Sequence, residues 1–416
     1  MDHCSRHRNQ TLGFRKFLYT MKKIILATAL SCLLTAPTFA QEQLPPRADI
    51  LKQMEKVNDW FMKRHPDPTV KSFGKNKYRT SNLWTRSVYY EGLMAMYGIS
   101  PKKAYYDYTL KWCEFHEWTP RNGSQDRDAD NYCCSQIYID MYRLAPSPEK
   151  LAQVISNCNM YLNTPDNSDW WWIDAIQMGM PVFAKLGKTT GNEAYWDKAH
   201  DMYMYTRDTF DGGMWNAKDG LWWRDMDFNP PYTTPQGKQC YWSRGNGWVV
   251  AALCRVMDEL PEDSKYYQQY KQDLLAMLKS LKGRVREDGT WNCSLDDPED
   301  FGGMEVTGTS LFVYGMAWAV RHGYVKADEY MPVIAKAWNA MVTHAVHQDD
   351  GMLGFQQGTG KEPKESQPTL YDKIPDFDDF GIGCFLLCGA EVYKLSPGEQ
   401  GAGAKKLAKI ADQKKK

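Results

Sequence analysis

Between residues 47 and 394, twelve stretches carry apolar residues at helical spacing, and a polar, aromatic-rich stretch precedes every second one. The helical stretches are 47–65, 83–98, 101–118, 131–145, 147–162, 171–187, 192–210, 246–260, 264–282, 307–322, 328–345 and 379–394. Tyr195, Ala199, Met202 and Tyr203 show the pattern, since steps of three and four keep them on one helix face. The intervening stretches are "RTSNLWTRS" (79–87), "QDRDADNY" (125–132), "DNSDWWWID" (166–174), "QCYWSRGNGW" (239–248), "DFGGMEVTGT" (300–309) and "YDKIPDFDDFG" (371–381). In a closed ring of helical hairpins, the helices after these stretches are the inner ones, and all six stretches meet at one mouth. The expected fold is therefore all-α, an (α/α)6 barrel with its functional loops on one face. An open helical solenoid is the alternative, but its repeats should resemble one another more than these do. Ser147-Pro148 and Asn192-Glu193 mark helix starts, Gly98 and Gly187 mark stops. "GLWWRDMDF" (220–228) and "GTWNCSL" (289–295) read as short β-hairpins in loops.

Met21-Lys22-Lys23, the apolar run Ile24–Leu34 and the small residue closing Thr38-Phe39-Ala40 form a secretory signal peptide over 21–40. Residues 1–20 then read as an over-extended start, 41–400 as one barrel domain, and 401–416 as a flexible basic tail. Cys32 follows Ala29-Leu30-Ser31, a poor match to a lipidation signal. The expected location is the periplasm, with secretion to the medium second. No segment after residue 40 is long and apolar enough to span a bilayer.

Without residues 1–40 the chain has 45 Lys/Arg against 50 Asp/Glu, a mildly acidic balance that argues against nucleic acid as a partner. An acidic ligand would need a local cationic pocket. The nine cysteines beyond residue 40 include no CxxC and read mostly as core thiols. Zinc spacing, a calcium loop, a dinucleotide fingerprint and a phosphate loop are all missing, so no metal or cofactor is implied. The 16 Trp and 25 Tyr suit sugar-stacking clefts as well as a large core.

Asp174 is the leading chemical candidate. Three tryptophans and Ile173 precede it, and Gln177 and Met178 share its helix face. Desolvation by the aromatic rings should raise its pKa and keep a proton for general acid catalysis. The competing reading is a helix cap, with Ser168 and Asp169 as rival caps. Asp130, in "DRDADNYCCSQIYIDMY" (126–142), is the second carboxyl, although acids favour helix N-termini without any catalytic role. In "YWSRGNGW", Arg244 offers a planar fork for a carboxylate, while Trp242 and Trp248 offer faces for a sugar ring. A surface ion pair is the plain alternative for Arg244. Trp222, Trp223 and Arg224, with Trp84 and Arg86 in the first loop, could extend an aromatic, cationic lining.

"WWWIDAIQMGMPVFAKLG", "YWSRGNGW" and the closing "DDFGIGCFLLCGAEVYKL" together resemble the unsaturated rhamnogalacturonyl hydrolases, glycoside hydrolase family 105, relatives of the unsaturated glucuronyl hydrolases of family 88. The resemblance covers roughly residues 47–395. It implies the (α/α)6 barrel and a substrate left by polysaccharide lyases, an oligosaccharide whose non-reducing uronic acid has a C4=C5 double bond. It also implies that the aspartate matching Asp174 protonates C4 and water adds at C5. Asp130, with Asn131 beside it, holds the substrate or orients the water. Trp242, Arg244 and Trp248 match sugar-stacking and carboxylate-binding positions, and Met178 an apolar contact. One departure is Arg224 after "GLWW", where some relatives have histidine after "GLYY", and it implies a different contact to the substrate carboxylate or leaving-side sugar. An inverting glycosidase or a polysaccharide lyase on the same barrel, and an exported glycan-binding protein without turnover, are the competing functions. Oligomeric state is not legible in the chain.

Overall fold

The structure, a computed structural model, describes residues 43–398. The segments that read as an over-extended start (1–20), a signal peptide (21–40) and a basic tail (401–416) lie outside the described residues. Six long helices form an outer set: α1 (Arg47–Arg64), α3 (Lys103–Phe115), α6 (Glu149–Leu162), α8 (Ala194–Asp208), α10 (Tyr267–Lys282) and α12 (Ala327–His344). Six more form the inner ring: α2 (Trp84–Ile99), α5 (Ser135–Leu144), α7 (Asp174–Thr190), α9 (Ser243–Met257), α11 (Val306–Arg321) and α13 (Phe380–Leu395). A single turn, α4 (Ala129–Tyr132), precedes α5. Each inner helix packs on the next, and α13 returns to α2, so the ring closes.

Burial explains the division of labour. Every residue of α9, and α7 from Asp174 to Gly187, is buried all round, as an inner helix must be. Outer helix α8 buries one stripe, Tyr195, Lys198, Ala199, Met202, Tyr203 and Thr206. At the closing seam Gly92 faces Gly383 so closely that a Cβ on Gly92 would lie 2.4 Å from the Gly383 carbonyl oxygen. Any side chain there would force α2 and α13 apart.

Inside α7, Pro181 has no N–H for the Gln177 carbonyl four residues earlier. Gln136 of α5 supplies the missing donor, its Nε2 reaching Gln177 O at 3.0 Å and Met178 O at 3.3 Å. That bond ties two inner helices together directly below the mouth.

Three local expectations need correction. Residues 289–295 form no hairpin; Trp291 and Ser294 make single bridges to Glu305 and Trp242, which stitch the loop to the starts of α11 and α9. Within 215–222 a short hairpin does form, β3 (Trp215–Asn216) with β4 (Leu221–Trp222), and another appears at β1 (Ser72–Gly74) with β2 (Lys77–Arg79). Gly187 does not stop α7. It gives room to the Trp196 ring, and the helix runs to Thr190, where Gly191 ends it at φ +71°.

The nine described cysteines are all buried and unpaired. Among the described residues no helix is long and apolar enough to cross a membrane.

The two ends of the barrel differ in charge. Inner-helix N-termini, with their free N–H groups, surround one mouth and favour anions there. C-termini surround the other, around a cavity of about 740 Å³. Cations gather at that end against the negative helix ends, and they are matched in place: Lys185 with Asp140 at 2.6 Å, Arg143 with Glu259 at 2.8 Å, Arg255 with Glu91.

Candidate active site

At the N-terminal mouth a cavity of about 320 Å³ is walled by the loops before the inner helices. Asp174, the first residue of α7, and Asp130, on the single turn α4, both line it. Neither is explained as a cap. Asp128 caps α4 by accepting from the Asp130 N–H at 2.9 Å, and no side chain caps α7. Trp84, Met178 and Arg224 complete the part of the lining expected from sequence.

Asp174 is only 8 % exposed, yet it is not left among apolar rings alone. Arg224 Nε donates to its Oδ2 at 2.9 Å, and Arg224 Nη1 donates to Asp225. The main chain fixes this geometry, because the Ile173 N–H donates to the Arg224 carbonyl at 3.0 Å. The expectation that tryptophans isolate Asp174 therefore overlooked a guanidinium arriving from the β4 loop. Among the described residues, no side chain donates to the Asp130 carboxyl in this way. Burial, helped by the charges of Asp128 and Asp174 and opposed by Arg224 and Arg121, pushes its carboxyl up to about 8. At neutral pH the proton of this two-carboxyl site rests on Asp130.

Seven expected contacts do not line the cavity. Two of them, Trp222 against Trp215 and Tyr203, and Arg86 paired with Asp379, are buried in the barrel. Arg244 is 1 % exposed, with Nη1 donating to Gln357 O and Nη2 to Gly358 O, each at 2.8 Å. Trp242 lies under it, 4.5 Å from ring centroid to guanidinium, and donates from Nε1 to Gln357 Oε1. These two side chains hold the loop whose next residues, Thr359, Gly360 and Lys361, do line the cavity. Trp248 is fully buried behind Trp84, edge to face at 6.3 Å. Trp223 turns away to bond Gln239 and stack on Tyr241. Asn131 is pinned between Arg121 and Asp126. The motif around Arg244 thus builds the wall from behind, and Arg244→Ala is expected to lower stability by about 3 kcal/mol, through two lost charge-assisted bonds and a buried void. Urea denaturation measures this; an unchanged midpoint with a raised KM would return Arg244 to a substrate contact.

In the rest of the lining, Trp172 belongs to the tryptophan run before Asp174, whereas Lys75, Arg79, Thr359, Gly360, Lys361, Glu365 and Phe377 were not singled out in the sequence. Lys75 and Arg79 belong to the β1–β2 hairpin, and no carboxylate among the described residues pairs with either, whereas Lys361 is held by Asp227 at 2.6 Å. The long helix-free run between α12 and α13 was the available signal for the 359–365 wall, since such loops are commonly functional. Among the described residues His347, Asp349 and Asp350 could group around a metal ion, but they are absent from the cavity wall.

The family model for Glycosyl Hydrolase Family 88 matches residues 53–396. The chain belongs to that family. As a family 88 member it is a glycosidase; the resemblance named family 105, with family 88 as its relative. It is 29 % identical over 334 residues to an unsaturated 3S-rhamnoglycuronyl hydrolase of Formosa agariphila, covering 75 % of this chain and 84 % of that protein. A solved glycosyl hydrolase family 88 protein from Bacteroides vulgatus superposes with a TM-score of 0.76 at 31 % identity, covering 84 % of this chain and 99 % of that one. A solved polysaccharide lyase superposes with a TM-score of 0.75 at 30 % identity, covering 85 % and 99 %.

Proposed function

We propose that this family 88 protein removes a Δ4,5-unsaturated uronic acid from the non-reducing end of lyase-generated oligosaccharides by hydrating the C4=C5 double bond. The observation that carries the reading is two carboxyls, Asp130 and Asp174, brought into one cavity with Arg79 and Lys75, cations that no carboxylate among the described residues pairs with; burial pushes the Asp130 carboxyl up to about 8, which keeps a proton there at neutral pH. A vinyl ether needs an acid more than a nucleophile. The proton adds to C4, and water, giving its own proton back to the carboxyl pair, adds its oxygen to C5. The hemiketal opens by breaking the C5–ring oxygen bond, and C1 then expels the remaining chain.

At rest Asp130 holds the proton and Arg224 holds Asp174. When substrate enters, the proton moves from Asp130 to Asp174, which delivers it to C4. Asp130 keeps a proton available in the pair. Arg79 and Lys75 receive the substrate's negative charge, a role first expected of Arg244. Arg79→Ala should therefore raise KM about tenfold with little change in kcat. A fall in kcat at constant KM would remove it from binding. The rhamnoglycuronyl relative points to rhamnose as a leaving-side sugar.

The deciding assay follows near-ultraviolet absorbance of the conjugated double bond on lyase-generated rhamnoglycuronyl, pectic or glycosaminoglycan oligosaccharides. A decline is expected. The likeness to a polysaccharide lyase supports a second reading, in which intact polysaccharide makes that absorbance rise. Release of saturated sugar with constant absorbance points to a conventional inverting glycosidase, and no change at all to a binder. We further infer export to the periplasm, or second to the medium, from the pattern at 21–40. A mature protein beginning at Gln41 is the expected N-terminal sequence, and retention of residues 21–40 would overturn it.

A further inference from the structure

The three consecutive tryptophans occupy three different environments. Trp170 is fully buried, its Nε1 donating to Tyr132 Oη at 2.8 Å. Trp172 lines the cavity. Trp171, between them, is 45 % exposed. Its ring lies 4.5 Å from that of Trp172, tilted by 49°, and the Arg224 guanidinium lies 6.0 Å from its centroid. Both neighbours are cavity wall, so Trp171 stands on the rim just outside it. Packing does not require an indole here, because Trp170 and Trp172 already anchor the segment and nearly half of this ring faces water.

At about 320 Å³ the cavity is at the small end for a ligand pocket. It has room for the reacting residue and the sugar joined to it. Any further sugar must leave across the rim. The aromatic faces of the lining, Trp84, Trp172 and Phe377, belong to the cavity itself, and its charged groups Lys75, Arg79, Lys361 and Glu365 offer no flat apolar face to a sugar beyond it. Trp171 does offer one, and the apolar face of a pyranose ring stacks on such a surface.

We propose that Trp171 is a platform for a sugar of the leaving chain beyond the one bonded to the reacting residue, so that longer oligosaccharides bind more tightly than disaccharides. This rests on the hydrolase reading above. The test compares steady-state kinetics on an unsaturated disaccharide and a tetrasaccharide from the same lyase digest, for wild type, Trp171→Ala and Trp171→Phe. Trp171→Ala should raise KM for the tetrasaccharide about tenfold and leave both constants for the disaccharide unchanged. Trp171→Phe, which keeps an aromatic face, should retain most of the advantage. Equal losses on both substrates would make Trp171 a support for Arg224 and Trp172, and no loss on either would leave no platform; both overturn the proposal. If wild type turns over neither substrate, the hydrolase reading itself falls, and the platform with it.

Discussion

Asp174→Asn is expected to lower kcat by about 10³-fold, within the range contributed by a positioned acid or base. The substitution keeps shape and removes only the transferable proton. The carbonyl oxygen of the new amide can still accept from Arg224 Nε, and Arg224 keeps Asp225 as a charged partner. No buried cation is therefore orphaned, and the thermal midpoint should stay close to wild type. KM should change little, because the cations assigned to the substrate's charge sit on the β1–β2 hairpin. Steady-state kinetics beside a thermal melt separates these effects. A loss of less than tenfold, in a folded protein, would remove Asp174 from the chemistry.

Asp130→Asn should remove activity and add stability. The carboxyl is raised to about 8, by burial first and then by Asp128 and Asp174. A group raised in the folded state contributes stability below its unfolded value, and that contribution is lost as pH rises through the folded value. The wild type should therefore weaken between about pH 4 and pH 8 through this residue. An amide cannot ionise, so Asp130→Asn escapes the loss. Its advantage over wild type should grow across that window and level off above it, reaching ~2 kcal/mol once the solvent-filled cavity is allowed for. Urea denaturation at pH 5 and pH 8.5 measures the difference. A variant no more stable at pH 8.5 than at pH 5, relative to wild type, would mean that Asp130 is already ionised at neutral pH. The alkaline limb of kcat/KM should fall near pH 8 in the wild type for the same reason, since the reaction needs the proton that leaves there.

Local pattern made most of the architecture legible. Helical periodicity is a short-range property, so elements such as α8 and α12 could be placed within a few residues. The alternation of polar-aromatic stretches also marked α2, α5, α7, α9, α11 and α13 as the inner ring, because a helix buried on all sides needs its chemistry in the loop before it. Gly187 misled, because a glycine that makes room for a tryptophan looks the same in sequence as one that ends a helix. Asp130, Asp174, Trp84, Met178 and Arg224 were each nameable from motifs, but their mutual arrangement was not.

By itself, the sequence determined which segments are helices, which of them face inward, and that Asp174 and Asp130 stand where loops lead into inner helices, since each follows from contacts within a few residues along the chain. Only the tertiary structure decided that Arg224 reaches Asp174 from 50 residues away, that the proton consequently rests on Asp130, and that Arg244 grips Gln357 and Gly358 instead of lining the cavity. Charge and burial act through space, and a carboxyl's proton is set by neighbours that the chain brings close only when the ring of helices shuts.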